Sequence, residues 1–200
     1  MKRKLLVAIS FLVLLYALGG MVYYFINQTP TPQEEKPIAK ISGYSYQLKA
    51  NATQLMKDEF QVLKKLLEGK EIDEEVYAKS VGKLFIIDLY TLGNKLNKYD
   101  VGGIQYVLPT GLDNFKLNVK DTLYKYIEDN TDGKRTQTLP EVKTINVLDI
   151  EATTYEIEKT AYSGYKINYE WTYIKNLGYD ASGELIIIKE DKYYYVAEKN

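Results

Sequence analysis

The chain opens with an uncharged stretch. Residues 5–26, LLVAISFLVLLYALGGMVYYFI, form a 22-residue apolar run, which at a helical rise of about 1.5 Å per residue reaches about 33 Å. That length predicts a transmembrane helix. Lys2, Arg3 and Lys4 precede it and no basic residue lies between Asn27 and Gln33, which places the N-terminus in the cytoplasm and the rest of the chain outside. A cleaved signal peptide is the rival reading, because Ala17, Leu18 and Gly19 resemble a small-x-small cleavage site. The apolar run continues past that point through Met21, Val22, Tyr23, Tyr24, Phe25 and Ile26, so the uncleaved anchor is the expectation, with the three aromatic residues at the outer interface.

After the run the pattern changes twice. Residues 27–37 (NQTPTPQEEKP) hold three of the five prolines and no apolar periodicity, which reads as an extended tether. The domain boundaries are therefore 1–26 for the cytoplasmic tip and anchor, 27–40 for the linker and 41–200 for an outer domain. Ile41, Tyr44, Tyr46 and Leu48 alternate like a short strand. Asn51 as N-cap, with Gln54 at the capping-box position, opens a helix carrying Leu55, Met56, Phe60, Leu63, Leu66 and Leu67 until Gly69. Asp73, Glu74 and Glu75 place negative charge at the start of a second helix, followed by Tyr77, Val81, Leu84, Phe85, Leu89, Leu92 and Leu96. Between residues 84 and 90 this helix is apolar on every side except at Asp88, which makes it the central one.

A turn at 99–103, an extended piece at 104–108 and a third helix follow, with Asn118 and Asp121 as caps and Val119, Leu123, Tyr124 and Ile127 as its apolar face. From Pro140 the period becomes two. Residues 142–157 read as one long strand, with Leu148, Asp149 and Ile150 breaking the alternation as a bulge would. Tyr165, Ile167, Tyr169, Trp171 and Tyr173 alternate with polar residues in a second strand, and 185–188 and 193–197 form a closing hairpin. Helices first and antiparallel strands afterwards give an α+β domain, with helices packed on a curved antiparallel sheet.

Composition narrows the chemistry. The 26 basic residues are balanced by 27 acidic ones, so no basic field exists to hold nucleic acid. Removing the three basic residues of the tip leaves 23 against 27 outside, a balance that keeps the domain soluble and weakly repelled by anionic lipid. There is no cysteine and no histidine. This excludes disulfides, thiol nucleophiles, imidazole bases and histidine-cysteine metal sites, and neither a cofactor nor a metal is expected. Cysteine-free and rich in lysine, isoleucine, asparagine and tyrosine, the chain fits an exported domain of a low-GC Gram-positive bacterium.

A few residues still invite chemistry. Asp88 places a carboxylate on a buried stripe, which is costly unless the group is bonded or protonated. It is either a general base raised toward neutrality by desolvation or a structural acceptor. Asp100, Gly102 and Gly103, with Asn94 and Lys95 just before them, either position a ligand through close backbone approach or simply reverse the chain. Tyr169 and Trp171 either line an aromatic pocket or belong to the core. Ser80 and Lys83 match the S-x-x-K pattern of serine acyl enzymes without its companion motifs, and Asp132-Gly133-Lys134 lacks the upstream glycine of a phosphate loop and reads as a turn.

The C-terminal third, YSGYKINYEWTYIKNLGYDASGELIIIKEDKYYYVAE, resembles the end of domains with the cystatin-like fold of the nuclear transport factor 2-like superfamily. An anchor followed by helices and a curved sheet is similar to the assembly-factor component of type IV secretion systems. KLFIIDLYTLGNKLNKYDVGGIQYV, residues 83–107, resembles a segment of membrane-anchored proteins of Firmicutes. These resemblances imply a cystatin-like fold and a non-enzymatic interaction or assembly role in the cell envelope. The expected partner is an envelope protein, and a homo-oligomer is compatible with the layout. An enzyme using Asp88 in a cone-shaped pocket, or a domain binding a small apolar ligand, remain the alternatives.

Overall fold

A computed structural model describes residues 16, 18–21, 23 and 37–200, and the chain divides into two units, Met1–Gln33 and Glu34–Asn200. Most of the expected span, and the tether up to residue 36, lie outside the described residues. Among the described residues, no helix is long and apolar enough to cross a membrane.

In the second unit the alternation of Ile41, Tyr46 and Leu48 is split by a reversal at Gly43, whose φ of +75° suits a residue without a side chain. The result is a two-strand ribbon, β1 (Ala39–Lys40) against β2 (Gln47–Leu48), with Ile41, Tyr46 and Leu48 buried. Helix α1 (Gln54–Leu67) is capped by Thr53, which accepts the Met56 N–H, rather than by Asn51. The Asn51 amide instead donates to the Asn94 carbonyl at 2.9 Å, so it is engaged elsewhere.

Helix α2 (Glu74–Tyr90) starts as its acidic run predicts: the Asp73 carboxylate accepts the Val76 N–H at 3.0 Å, and Glu74 and Glu75 sit in the first turn. It is the central helix, buried almost without interruption from Tyr77 to Tyr90. Gly82 makes this possible, since a Cβ there would stand 2.0 Å from the Tyr169 hydroxyl. The helix ends at Tyr90, before Leu92 and Leu96, because the N–H groups of Leu92 and Gly93 turn to the Pro140 carbonyl.

Residues 104–108 are not a strand. Ile104–Tyr106 form a 3-10 turn opened by Gly103 at φ +76°, and only Val107 makes a β-bridge, parallel to Val196. The third helix, α3 (Leu112–Asp121), lies upstream of its predicted place. Pro109 starts the turn that runs into it, and the Thr122 hydroxyl closes it on the Asn118 carbonyl at 2.6 Å. Asn118 is therefore inside the helix, while Tyr124 and Ile127 are buried beyond its end.

The sheet matches its pattern. β3 (Val142–Ile157), β4 (Thr160–Tyr173), β5 (Ser182–Glu190) and β6 (Tyr193–Lys199) run antiparallel in the order β3-β4-β5-β6. The β3–β4 register shifts between Val147 and Asp149, leaving Leu148 as the bulged residue. Ile167, Tyr169, Trp171, Leu185, Ile187, Tyr194 and Val196 join α1 and α2 in the main core. A smaller cluster of Leu108, Ile186 and Ile188 packs with Tyr155, Ile157, Tyr162, Tyr195 and Ala197. The Tyr155 hydroxyl bonds the Glu198 carboxylate at 2.6 Å. That bond links the first strand of the sheet to the last across the two strands between them. The domain is α+β, with helices packed against a four-stranded antiparallel sheet.

Candidate functional site

Asp88 occupies the last turn of α2, where the helix presents its negative end and a carboxylate is least welcome. Three features offset that. Its Oδ1 receives the Lys95 ammonium at 2.5 Å, its Oδ2 accepts the Gly103 N–H at 2.7 Å, and Lys95 comes from the loop just beyond the helix end. Both partners are sealed, Asp88 at 6% and Lys95 at 2% exposure. Burial alone would push the Asp88 carboxyl up. The charges of Lys95 and Lys49 together with the Gly103 N–H outweigh it and hold the group below the usual aspartate value.

The two glycines let the loop close on the helix. A Cβ on Gly102 would lie 2.1 Å from the Asp88 carbonyl oxygen, and one on Gly103 would lie 2.9 Å from the Phe85 ring. The Gly102 N–H donates to the Tyr124 hydroxyl at 3.2 Å, and that hydroxyl donates to the Leu89 carbonyl at 2.8 Å. Burial, reinforced by the Asp88 charge, pushes the Tyr124 hydroxyl pKa far up, so it stays a neutral donor.

An outer ring completes the arrangement. Asp100 takes the Lys49 ammonium at 3.2 Å on one oxygen and the Leu96 N–H at 3.1 Å on the other. Asn94 and Asn51 exchange amide-to-carbonyl bonds, leaving the buried Asn94 Oδ1 with no partner among the described residues. Arg135 reaches the carbonyls of Lys95 and Gly93, each at 2.9 Å, and Asn97 donates to Asp129 at 3.1 Å. Asp88, Asn94, Lys95, Asp100, Gly102 and Gly103 are thus brought into one polar knot.

Tyr169 and Trp171 stand apart from it on the core face of β4. The Tyr169 hydroxyl, its pKa pushed far up by burial, donates to the Lys79 carbonyl at 3.3 Å. The Trp171 indole N–H donates to the Tyr173 hydroxyl at 2.8 Å. Ser80 is buried in α2 while the Lys83 ammonium bonds Glu59 of α1 at 3.1 Å, an ion pair between helices. Lys49 and Arg135 belong to the knot without having been singled out, and Asn51 and Tyr124, expected as a helix cap and on an apolar helix face, belong to it as well. Arg135 carried one sequence signal: it is the only arginine beyond Arg3 in a lysine-rich chain, and a fixed fork of donors is what two backbone carbonyls require.

Among the described residues, two surface depressions stand out. One, of about 460 Å³, lies beside the β6 edge and is walled by Phe85, Leu108, Phe115, Tyr155, Tyr162 and Val196. The other, of about 270 Å³, lies where α1 and α2 meet β3, between Val62, Val76, Ile145 and Val147. Asp88 lines neither. Among the described residues no cluster of acidic side chains could hold a metal ion. In comparison with known proteins, no family model, no curated protein and no solved structure matches this chain.

Proposed function

We propose that the chain is a single-pass membrane protein, N-terminus in the cytoplasm, whose outer domain is cystatin-like in layout. In this reading it serves as a non-enzymatic interaction or assembly module of a bacterial cell envelope. The observation that carries it is the state of Asp88. A general base must present a free lone pair to a substrate, whereas both Asp88 oxygens are engaged, by Lys95 and Gly103, inside a sealed knot. The polar machinery faces inward and braces the fold. The larger outward feature is the depression beside β6, whose walls are mainly aromatic and aliphatic. An apolar segment of an envelope protein fits that chemistry. The cystatin-like layout draws support from helices packed on one antiparallel sheet whose first and last strands are joined by the Tyr155–Glu198 bond, and the anchor from the 22-residue run with its basic flank.

A small, mainly apolar ligand is the second reading, favoured by the same depression: about 460 Å³ falls within the size of small-molecule sites, and Thr110, Glu158, Thr160, Glu198 and Lys199 add polar groups to its apolar walls.

The test is capture of the tagged full-length chain from its native membrane, with Phe115→Glu in the depression and Tyr126→Glu at an exposed position outside it. A protein lost only with Phe115→Glu supports the assembly reading. A lipid or metabolite that co-purifies and is lost with the same change moves the assignment to the second. An Asp88→Asn variant that keeps full stability while losing its cellular activity overturns both in favour of an enzyme. A C-terminal reporter should be active outside the cell, and a mature fragment starting near residue 20 would refute the anchor.

A further inference from the structure

Strand β3 is 16 residues long and lies at the edge of the sheet, paired only with β4 among the described residues. An unpaired edge of this length exposes a row of N–H and C=O groups that can template another strand. Its side chains restrict which strand. Lys143 stands near the start, Asp149 and Glu151 stand past the middle, and Leu148 between them is 58% exposed on its bulge. Parallel pairing with a second copy would set Asp149 and Glu151 beside their own equivalents, which is repulsive. Antiparallel pairing reverses the sign: Lys143 of each copy then meets the acidic pair of the other.

We propose that β3 pairs with β3 of a second copy of this chain, antiparallel across a two-fold axis centred on residues 146–148, so that the two four-stranded sheets join. With Val147 on the axis and both register shifts of β3 counted, Thr144 of one copy lies opposite Glu151 of the second copy with Lys143 on the bulge beside that pair, and the contact is repeated by symmetry. The exposed Leu148 falls within the joint. Beside the edge, Val62 at 48% and Val76 at 37% exposure flank the smaller depression with Ile145 and Val147. They place apolar helix surface beside the joint, with Glu59, Lys79 and Lys83 around it. The acidic pair and the bulge also act as a filter. They disfavour strands without a matching lysine and leave the chain's own β3 as the complementary partner. The joint spans residues 142–152 and stops short of Tyr155 and Ile157, through which β3 lines the depression beside β6, so it is tested separately from the assembly reading.

The absence of cysteine makes the test direct. In the full-length chain in detergent, Leu148→Cys supplies one thiol close to the axis, Asn146→Cys a second choice on the same edge, and Tyr126→Cys an exposed control away from it. Oxidation should yield disulfide dimers at residues 148 and 146, and at residue 126 only what random collision gives. Light scattering should show a dimer whose dissociation constant rises about tenfold with Lys143→Glu and returns close to the starting value when Glu151→Lys is added. A monomer at every reachable concentration overturns the proposal. So does a dimer that cross-links equally through residue 126, or one indifferent to the charge reversal.

Discussion

Asp88 and Lys95 lie seven residues apart and meet at 2.5 Å, with 7% and 1% of their side-chain surfaces open to solvent. The contact ties the end of the central helix to the loop that leaves it. Removing one partner of such a pair strands the other, so the effects should be unequal. Asp88→Asn keeps the shape and part of the bonding and should cost about 1–3 kcal/mol, and Asp88→Leu should cost more because its donors are left unpaired. Lys95→Met leaves the carboxylate uncompensated and should cost about 3–5 kcal/mol, while the double change Asp88→Leu with Lys95→Met should cost less than the sum. Thermal melting of the four variants measures this. An Asp88→Asn protein melting at or above wild type would refute the structural role.

Gly102 and Gly133 separate two reasons for a glycine. Gly133 has φ +71° and open space around its missing Cβ, whereas at Gly102 a Cβ would sit 2.1 Å from the Asp88 carbonyl oxygen. Gly133→Ala should cost about 1 kcal/mol for the left-handed backbone alone. Gly102→Ala must move the loop away from the helix and should cost clearly more, with disruption of the Asp88–Gly103 bond. Equal losses in a denaturant titration would show that the loop does not need this close approach.

Much of the sheet was legible because period-two alternation runs long there. The limits of β3 follow from Pro140 and the pattern, and its bulge from the break at Leu148. The third helix was misplaced because Asn118 and Asp121 look like caps locally, and nothing nearby reveals that Pro109 had already started a turn that the helix continues. Residues 104–108 misled for a related reason. Alternation over five positions fits a strand, but Gly103 at φ +76° turns the chain into a 3-10 turn instead. Asp88 was visible as a charge on an apolar helix, and its partner lay within reach of sequence because it stands only seven positions further on. The partners of Tyr124 and Arg135 were not visible, since their bonds to Leu89 and Lys95 span 35 and 40 residues.

Acid should act on the knot in a defined direction. Asp88 is held below the ordinary aspartate value, mainly against its burial by Lys95, Lys49 and the Gly103 N–H. A carboxyl whose folded value is depressed contributes stability above its unfolded value, about pH 4, and loses it as pH falls through the folded value. Urea midpoints of the wild type should therefore fall below about pH 4, with a shallower fall in Asp88→Asn. Parallel acid profiles would mean that other carboxylates carry the transition.

Alkali should act through the tyrosines, of which the chain has 20. Burial pushes Tyr46, Tyr106, Tyr124 and Tyr169 far above the usual phenol value, with the Asp88 charge adding to the effect at Tyr106 and Tyr124. Tyr173, whose hydroxyl donates to the Asp180 carbonyl, is pushed up to about 12, chiefly by burial. A hydroxyl raised in the folded state contributes stability that is fully present below its unfolded value of about 10 and is lost as pH rises toward the folded one, because the unfolded chain releases its protons first. Tyrosinate absorbance should accordingly rise in two stages. The second should coincide with loss of the near-ultraviolet circular dichroism of Trp171, packed 4.9 Å from Tyr90 and buried. A single reversible titration of all the tyrosines near pH 10 with that signal intact would show that the four hydroxyls are open to solvent and that the core drawn around α2 is wrong.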